Sequence, residues 1–109
     1  MRNRTAVIDL GTNTFHLLIA EGSLPHFTEV AHATEAVKLG EGGINEGIIH
    51  SEAYRRGIKA MQQFKQLLDE HQPSQVKAMA TSALRNAANG AQFIAVSYTH
   101  LTLPTILRV

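Results

Sequence analysis

The stretch VIDLGTNTFHLLIAE, residues 7–21, joins two short apolar runs through four residues that favour turns. Residues 5–10 (TAVIDL) are largely β-branched or apolar and are stopped at Gly11, which predicts a short strand buried on both faces. Residues 14–21 (TFHLLIAE) form a second run of the same kind. The intervening GTNT is rich in residues that tolerate or stabilise turns, so the stretch predicts a β-hairpin.

Two further elements follow on either side of a glycine-rich loop. Residues 27–39 alternate loosely between apolar and polar side chains, which predicts a third strand and hence a three-stranded meander. Residues 40–47 (GEGGINEG) hold four glycines in eight positions and indicate a loop. Ser51 is a candidate N-cap for an amphipathic helix that ends before Pro73.

The remaining chain adds a parallel strand and a helix. Residues 76–81 (VKAMAT) form a short apolar run after a helix, which predicts a crossover to a strand parallel to one in the meander. Ser82 is a candidate cap for a short helix that is broken or restarted at Asn89 and Gly90. The order β-β-β-α-β-α indicates an α/β domain with a mixed sheet.

The amino-acid composition argues against several classes of function. At 109 residues there is room for one domain with one core. Ten Lys and Arg against nine Asp and Glu give a net charge of +1 without the basic stripe that nucleic-acid binding usually needs. No apolar run approaches the ~20 residues of a membrane span, and no cysteine is present for a disulfide, a thiolate metal site or a nucleophile. We therefore expect a soluble cytoplasmic protein that binds neither nucleic acid nor membrane.

Residues 96–109 (VSYTHLTLPTILRV) differ in composition from the rest of the chain. Their only formal charge is Arg108, and hydroxyl and branched apolar residues alternate up to Pro104. The segment resembles the SYTHLTLPT sequence that arises when sequencing-adapter DNA is read through and translated at the end of a gene fragment. We interpret it as a non-native tail; the alternative is a genuine edge strand.

The turn after the first strand is the first candidate site. A carboxylate at a strand end, Asp9, stands beside a glycine-started turn whose backbone N–H groups attract anions. The side chains of Thr12, Asn13 and Thr14 add hydrogen-bonding groups, and Asp9 is able to hold Mg²⁺ through water. The alternative is a plain turn in which Asp9 bonds the backbone and Asn13 supplies a left-handed residue.

A second candidate is TSALRNA, residues 81–87, where a strand end meets a Ser-capped helix start. Arg85, in the first turn of that helix, is suited to a bidentate phosphate contact, or else is a solvated surface arginine. Both candidates follow strands expected to be parallel, and ligands of open α/β sheets gather at such ends. His16 falls inside the second strand and is interpreted as a core or half-buried residue.

Taken together, AVIDLGTNTFHLLIAE, VKLGEGGI, SEAYRRGIKAMQQFKQLLDE and VKAMATSALRNAANGAQFI resemble the N-terminal part of the exopolyphosphatase and guanosine pentaphosphate phosphohydrolase family over residues 4–95. The resemblance implies a ribonuclease-H-like domain of the actin-like, sugar-kinase and Hsp70-type ATPase fold. It implies Mg²⁺-dependent removal of terminal phosphate from polyphosphate or guanosine pentaphosphate, in a homodimer. It places Asp9 near the metal and places on the phosphates the residues Gly11, Thr12, Asn13, Thr14 and Arg85.

The chain departs from this family after residue 95. The family continues with a segment SGxxEA, which carries the catalytic acid, and a second phosphate loop DxGGGS, and neither occurs here. The catalytic residue is therefore unknown in this sequence, and we expect the 109-residue chain to be incomplete in its domain and inactive by itself. The alternatives are a polyphosphate- or nucleotide-binding module without turnover and a sugar or acetate kinase of the same superfold.

This interpretation predicts what an independent assembly of the gene contains. Past codon 95 the reading frame is expected to continue into SGxxEA and DxGGGS, because the parent enzyme needs its general base and the other half of its phosphate clamp. A stop codon directly after Val109 would contradict the non-native tail and favour a binding module.

Overall fold

A computed structural model describes residues 3–23, 26–40, 47–81, 84, 86–101 and 105–108. Within these ranges, the elements with defined bounds are β1 (Arg4–Leu10), β2 (Thr14–Ser23), β3 (His26–Ala36), α1 (Ser51–His71), β4 (Gln75–Ala80), α2 (Gly90–Leu101) and β5 (Thr105–Arg108). The predicted short helix from Ser82 lies largely outside the described residues. No helix among the described ranges is long and apolar enough to cross a membrane.

The strands form one mixed sheet in the order β3-β2-β1-β4-β5. β1 pairs antiparallel with β2, and β2 pairs antiparallel with β3, which confirms the predicted hairpin and meander. β4 lies parallel to β1 after the α1 crossover, also as predicted. The α/β class and the mixed sheet are therefore confirmed.

The sheet is covered on one face. Along β1 the side chains of Ala6, Ile8 and Leu10 are buried in the core, whereas Val7 is partly buried and Asp9 is exposed. The prediction that β1 is buried on both faces is wrong, because residues of α1 and α2 join a single core cluster with the buried side of the sheet. On the opposite side, hereafter the open face, Leu18 and Met79 are 40% and 47% exposed, and no described helix covers them.

Helix α1 contributes most of the helical part of this core. Its buried positions follow a helical stripe, which is Ala53, Gly57, Ala60, Met61, Phe64 and Leu68. The helix begins at Ser51 rather than after it: His50 holds the N-cap position, its carbonyl accepts the Tyr54 N–H at 2.8 Å, and no side chain caps the end. The predicted Ser51 cap is therefore wrong. The helix ends at left-handed Gln72, immediately before Pro73.

Strand β3 is shorter than predicted. It ends at Ala36 and not at Leu39, because the N–H groups of residues 37–39 turn away from the sheet ladder and bond the β1–β2 turn instead. Lys38 takes a left-handed conformation, with φ 48°, between the buried side chains of Val37 and Leu39.

The described residues of the C-terminal segment, 96–101 and 105–108, lie in a helix and a strand. Helix α2 runs to Leu101, into the segment interpreted as a tail, and β5 pairs parallel with β4 at the sheet edge. A strand at that position is the conformation that the edge-strand alternative describes. Because the conformation of these residues does not report their origin, the non-native tail stays a prediction.

Gly57 lets α1 and α2 approach closely. A Cβ at residue 57 would lie 2.6 Å from the ring of Phe93, which is fully buried and packed against Phe15 and Tyr54 at centroid distances of 5.9 and 5.1 Å. The ring is therefore not free to move aside. Small-to-large changes in such tightly packed places force the surrounding structure to shift.

Replacing Gly57 by alanine is expected to lower the free energy of unfolding by about 1–3 kcal/mol, although alanine is the better helix former. Urea unfolding of the chain measures this change. The matched control is Gln62→Ala at an exposed position of the same helix, expected to stay within about 0.5 kcal/mol of the parent. A Gly57→Ala chain more stable than the parent would contradict the packing argument.

Candidate phosphate-binding site

The β1–β2 connection is a tight turn that requires glycine at its first position. The Gly11 N–H donates to the Thr14 carbonyl at 3.1 Å. A Cβ at residue 11 would lie 2.8 Å from that same carbonyl oxygen, closer than a side-chain carbon tolerates. Residue 11 is thus glycine because of a close backbone approach.

The carbonyls of the turn are held from one side. The Asn13 carbonyl accepts the N–H groups of Val37 and Lys38 at 3.0 and 2.9 Å, and the Thr12 carbonyl accepts that of Leu39 at 2.7 Å. In a trans peptide the C=O and the following N–H point in opposite directions. Anchoring the Thr12 carbonyl therefore directs the Asn13 N–H away from residues 37–39.

The N–H groups of Thr12 and Asn13 donate to no acceptor within the part of the chain that the structure describes. Backbone donors of this kind, gathered in a turn at a strand end, form concavities that bind anions. Two backbone donors without an acceptor among the described residues, in a turn at a strand end, make this turn a candidate anion-binding site.

Thr81, just past the end of β4, lies next to this turn. Its N–H donates to the Leu10 carbonyl at 3.2 Å, and its hydroxyl oxygen lies 3.4 Å from that of Thr12. The contact arises because β1 and β4 are parallel and end together, with Leu10 opposite Ala80. The two strand ends that the sequence marked as candidate sites are thus side by side.

Asp9 projects from β1 on the open face, opposite His16 of β2 and Met79 of β4. Among the described residues its carboxylate has no hydrogen bond and no ion pair. The plain-turn alternative required Asp9 to bond the turn backbone and Asn13 to be left-handed. Both requirements fail, since the non-glycine residues with positive φ in the described chain are Lys38 and Gln72.

The side chains around Asp9 determine which kind of metal site this region can form. Within the described ranges no group of three or more His, Asp or Glu side chains converges as a complete protein cage. Mg²⁺ is usually held by one or two carboxylates together with water and substrate phosphates. A single exposed carboxylate on the strand that leads into a candidate phosphate-binding turn fits that mode of binding.

His16 was misjudged from the sequence. Instead of lying in the core or half buried, it is exposed on the open face, with Nδ1 3.3 Å from the Thr34 hydroxyl. The sequence does indicate this exposure, because side chains of a strand point alternately to opposite faces. With Phe15, Leu17 and Ile19 buried on one face, residue 16 lies on the other. His16 therefore belongs to the surroundings of Asp9.

Arg85, the remaining predicted phosphate ligand, lies outside the described residues. Its neighbour Leu84 is buried in the core. Part of the glycine-rich segment, residues 41–46, also lies outside them, so the loop expected there stays a prediction.

A sequence model of the Ppx/GppA phosphatase family matches residues 18–105. The chain belongs to the Ppx/GppA phosphatase family. Its structure is similar to that of an exopolyphosphatase from Cytophaga hutchinsonii, with a TM-score of 0.86 and 36% identity over 96% of this chain and 34% of that one. An Aquifex aeolicus member of the Ppx/GppA family gives a TM-score of 0.86 and 25% identity, covering 98% of this chain and 35% of that one.

These likenesses confirm the predicted ribonuclease-H-like, actin-like ATPase fold. The chain spans about a third of the length of the matched family structures. A weaker likeness to Thermus thermophilus RuvC, with a TM-score of 0.58 and 13% identity over 96% of this chain and 60% of that one, shows the fold alone.

The turn geometry predicts the effect of a single methyl group. Gly11→Ala is expected to cost about 1–3 kcal/mol of unfolding free energy, because the added carbon meets the Thr14 carbonyl and the turn must open. Urea unfolding measures the loss. Asn13→Ala serves as the control, since that side chain is exposed and forms no hydrogen bond with a described residue. Unchanged stability of Gly11→Ala would contradict the close approach.

Proposed function

We propose that this chain is the front part of a Mg²⁺-dependent phosphoanhydride hydrolase that releases terminal phosphate from inorganic polyphosphate or guanosine pentaphosphate. The observation that carries the proposal is the β1–β2 turn, in which two N–H groups have no acceptor among the described residues and Thr12 contacts Thr81 at the carboxyl ends of β1 and β4. Asp9 lies near the same end of β1. Membership of the Ppx/GppA phosphatase family supports hydrolysis of a phosphate ester or anhydride. The likeness to an exopolyphosphatase supports the substrate class.

Each residue of the site has a distinct role in this proposal. The N–H groups and hydroxyls of the turn residues, Gly11 to Thr14, bind and orient the phosphate oxygens. Arg85 adds a bidentate cationic contact that stabilises the charge of the transferred group. Asp9 holds Mg²⁺, which when bound neutralises phosphate charge and orients the substrate.

Phosphoryl transfer depends mostly on positioning and charge neutralisation, and in this proposal the turn, Arg85 and Asp9 supply one side of a catalytic cleft. The general base is expected beyond residue 95 of the parent protein, in a segment that this sequence does not contain. We therefore assign the activity to the complete protein, as a cytoplasmic homodimer, and not to the 109-residue chain.

In the complete protein, Asp9→Asn and Arg85→Ala are each expected to lower kcat/KM for orthophosphate release by about 100-fold. The first removes the charge that holds the metal, and the second removes a donor to the phosphates. Matched controls are Asp69→Asn, whose carboxylate pairs with Lys65 on an exposed part of α1, and Arg55→Ala, whose side chain is 76% exposed. Both controls are expected to retain activity within about twofold.

A complete protein that releases no orthophosphate from polyphosphate or guanosine pentaphosphate would reject the proposal. Binding of either compound without release would indicate a binding module instead. Transfer of phosphate from ATP to a sugar or acetate would indicate a kinase of the same fold.

A further inference from the structure

Arg56 of α1 contacts the segment that holds the phosphate-binding turn. Its Nε donates to the Val37 carbonyl at 2.8 Å, and its Nη2 donates to the Lys38 carbonyl at 3.2 Å. One guanidinium therefore binds two successive carbonyls in a fork, a geometry that the single ammonium of lysine does not reproduce.

The same segment bonds the turn through its opposite side. The N–H groups of residues 37–39 donate to the carbonyls of Thr12 and Asn13 at distances between 2.7 and 3.0 Å. Residues 37–39, hereafter the bridging segment, thus lie between Arg56 and the turn. Through these peptide groups the Arg56 guanidinium is linked to the turn.

The bridging segment contains a backbone conformation that depends on stabilising contacts. Lys38 has φ 48°, a left-handed conformation that is unfavourable for a residue with a side chain and persists where the surroundings determine it. Buried Val37 and Leu39 fix the two sides of Lys38, and the Arg56 fork fixes the carbonyls between them. The fork therefore stabilises a backbone conformation that would otherwise relax.

We propose that Arg56 is a positioning residue for the phosphate-binding turn. By fixing the carbonyls of the bridging segment, it keeps the N–H groups of that segment on the Thr12 and Asn13 carbonyls. This in turn holds the Asn13 N–H outward, ready for a phosphate oxygen. The consequence for substrate rests on the proposed function, whereas the backbone arrangement does not.

The test uses the complete protein with Arg56→Lys, which keeps the charge, and Arg56→Met, which keeps the apolar stem. The matched control is Arg55→Lys on the preceding, solvent-exposed residue, which pairs with Glu52 at 3.6 Å. Amide hydrogen exchange is measured at residues 37–39, and steady-state kinetics of orthophosphate release and the melting temperature are measured alongside.

Both Arg56 variants are expected to show at least tenfold faster exchange at the bridging segment and about tenfold higher KM, with kcat changed less than threefold. The change falls on KM because the turn contacts the phosphates in the ground state as well as in the transition state. Arg55→Lys is expected to change none of these quantities by more than twofold.

Three outcomes would overturn the proposal. Unchanged exchange at residues 37–39 in both variants would show that Arg56 does not hold the segment. A lower melting temperature with unchanged KM would assign Arg56 to stability alone, and full activity of Arg56→Lys would assign it to charge alone. If the parent protein releases no orthophosphate, the proposed function fails, and exchange at residues 37–39 still decides the positioning role.

Discussion

The pairing of β1 on both of its edges is the constraint on which the site depends. β1 runs antiparallel to β2 and parallel to β4, so its carboxyl end carries a turn on one side and a second strand end on the other. The turn and Thr81 are brought together by this arrangement, with two hydroxyl oxygens 3.4 Å apart. A purely antiparallel sheet would place the end of β4 at the far edge.

The second requirement is that backbone donors stay available. Most backbone N–H groups in a sheet donate to carbonyls of the neighbouring strands. Here the carbonyls of Thr12 and Asn13 accept the N–H groups of residues 37–39, which follow the end of β3, while the N–H groups of Thr12 and Asn13 donate to no acceptor among the described residues. The early end of β3 and the turn are thus two parts of one hydrogen-bonding arrangement.

The sequence predicted those features that depend on local periodicity and turn chemistry. The hairpin, the amphipathic helix α1 and the parallel β4 were all found, and resemblance supplied the family. Burial of β1 on both faces was wrong because coverage of the open face depends on elements far from the strand. The burial of His16 was misjudged because the alternation of buried residues on either side of it in β2 was not taken into account. The Arg56 fork has no sequence signature, since it joins a side chain of α1 to backbone carbonyls that follow β3.

The distance along the chain between the two halves of the site has a consequence for folding. Thr12 and Thr81 are separated by 69 residues, whereas β1 and β2 are joined by a tight turn. Pairings between nearby segments form early, and those that close long loops form late. On the ribosome the hairpin is synthesised long before β4 emerges, so the β1–β2 turn acquires Thr81 as its neighbour only after α1 and β4 have been synthesised. Site assembly is therefore tied to completion of the sheet.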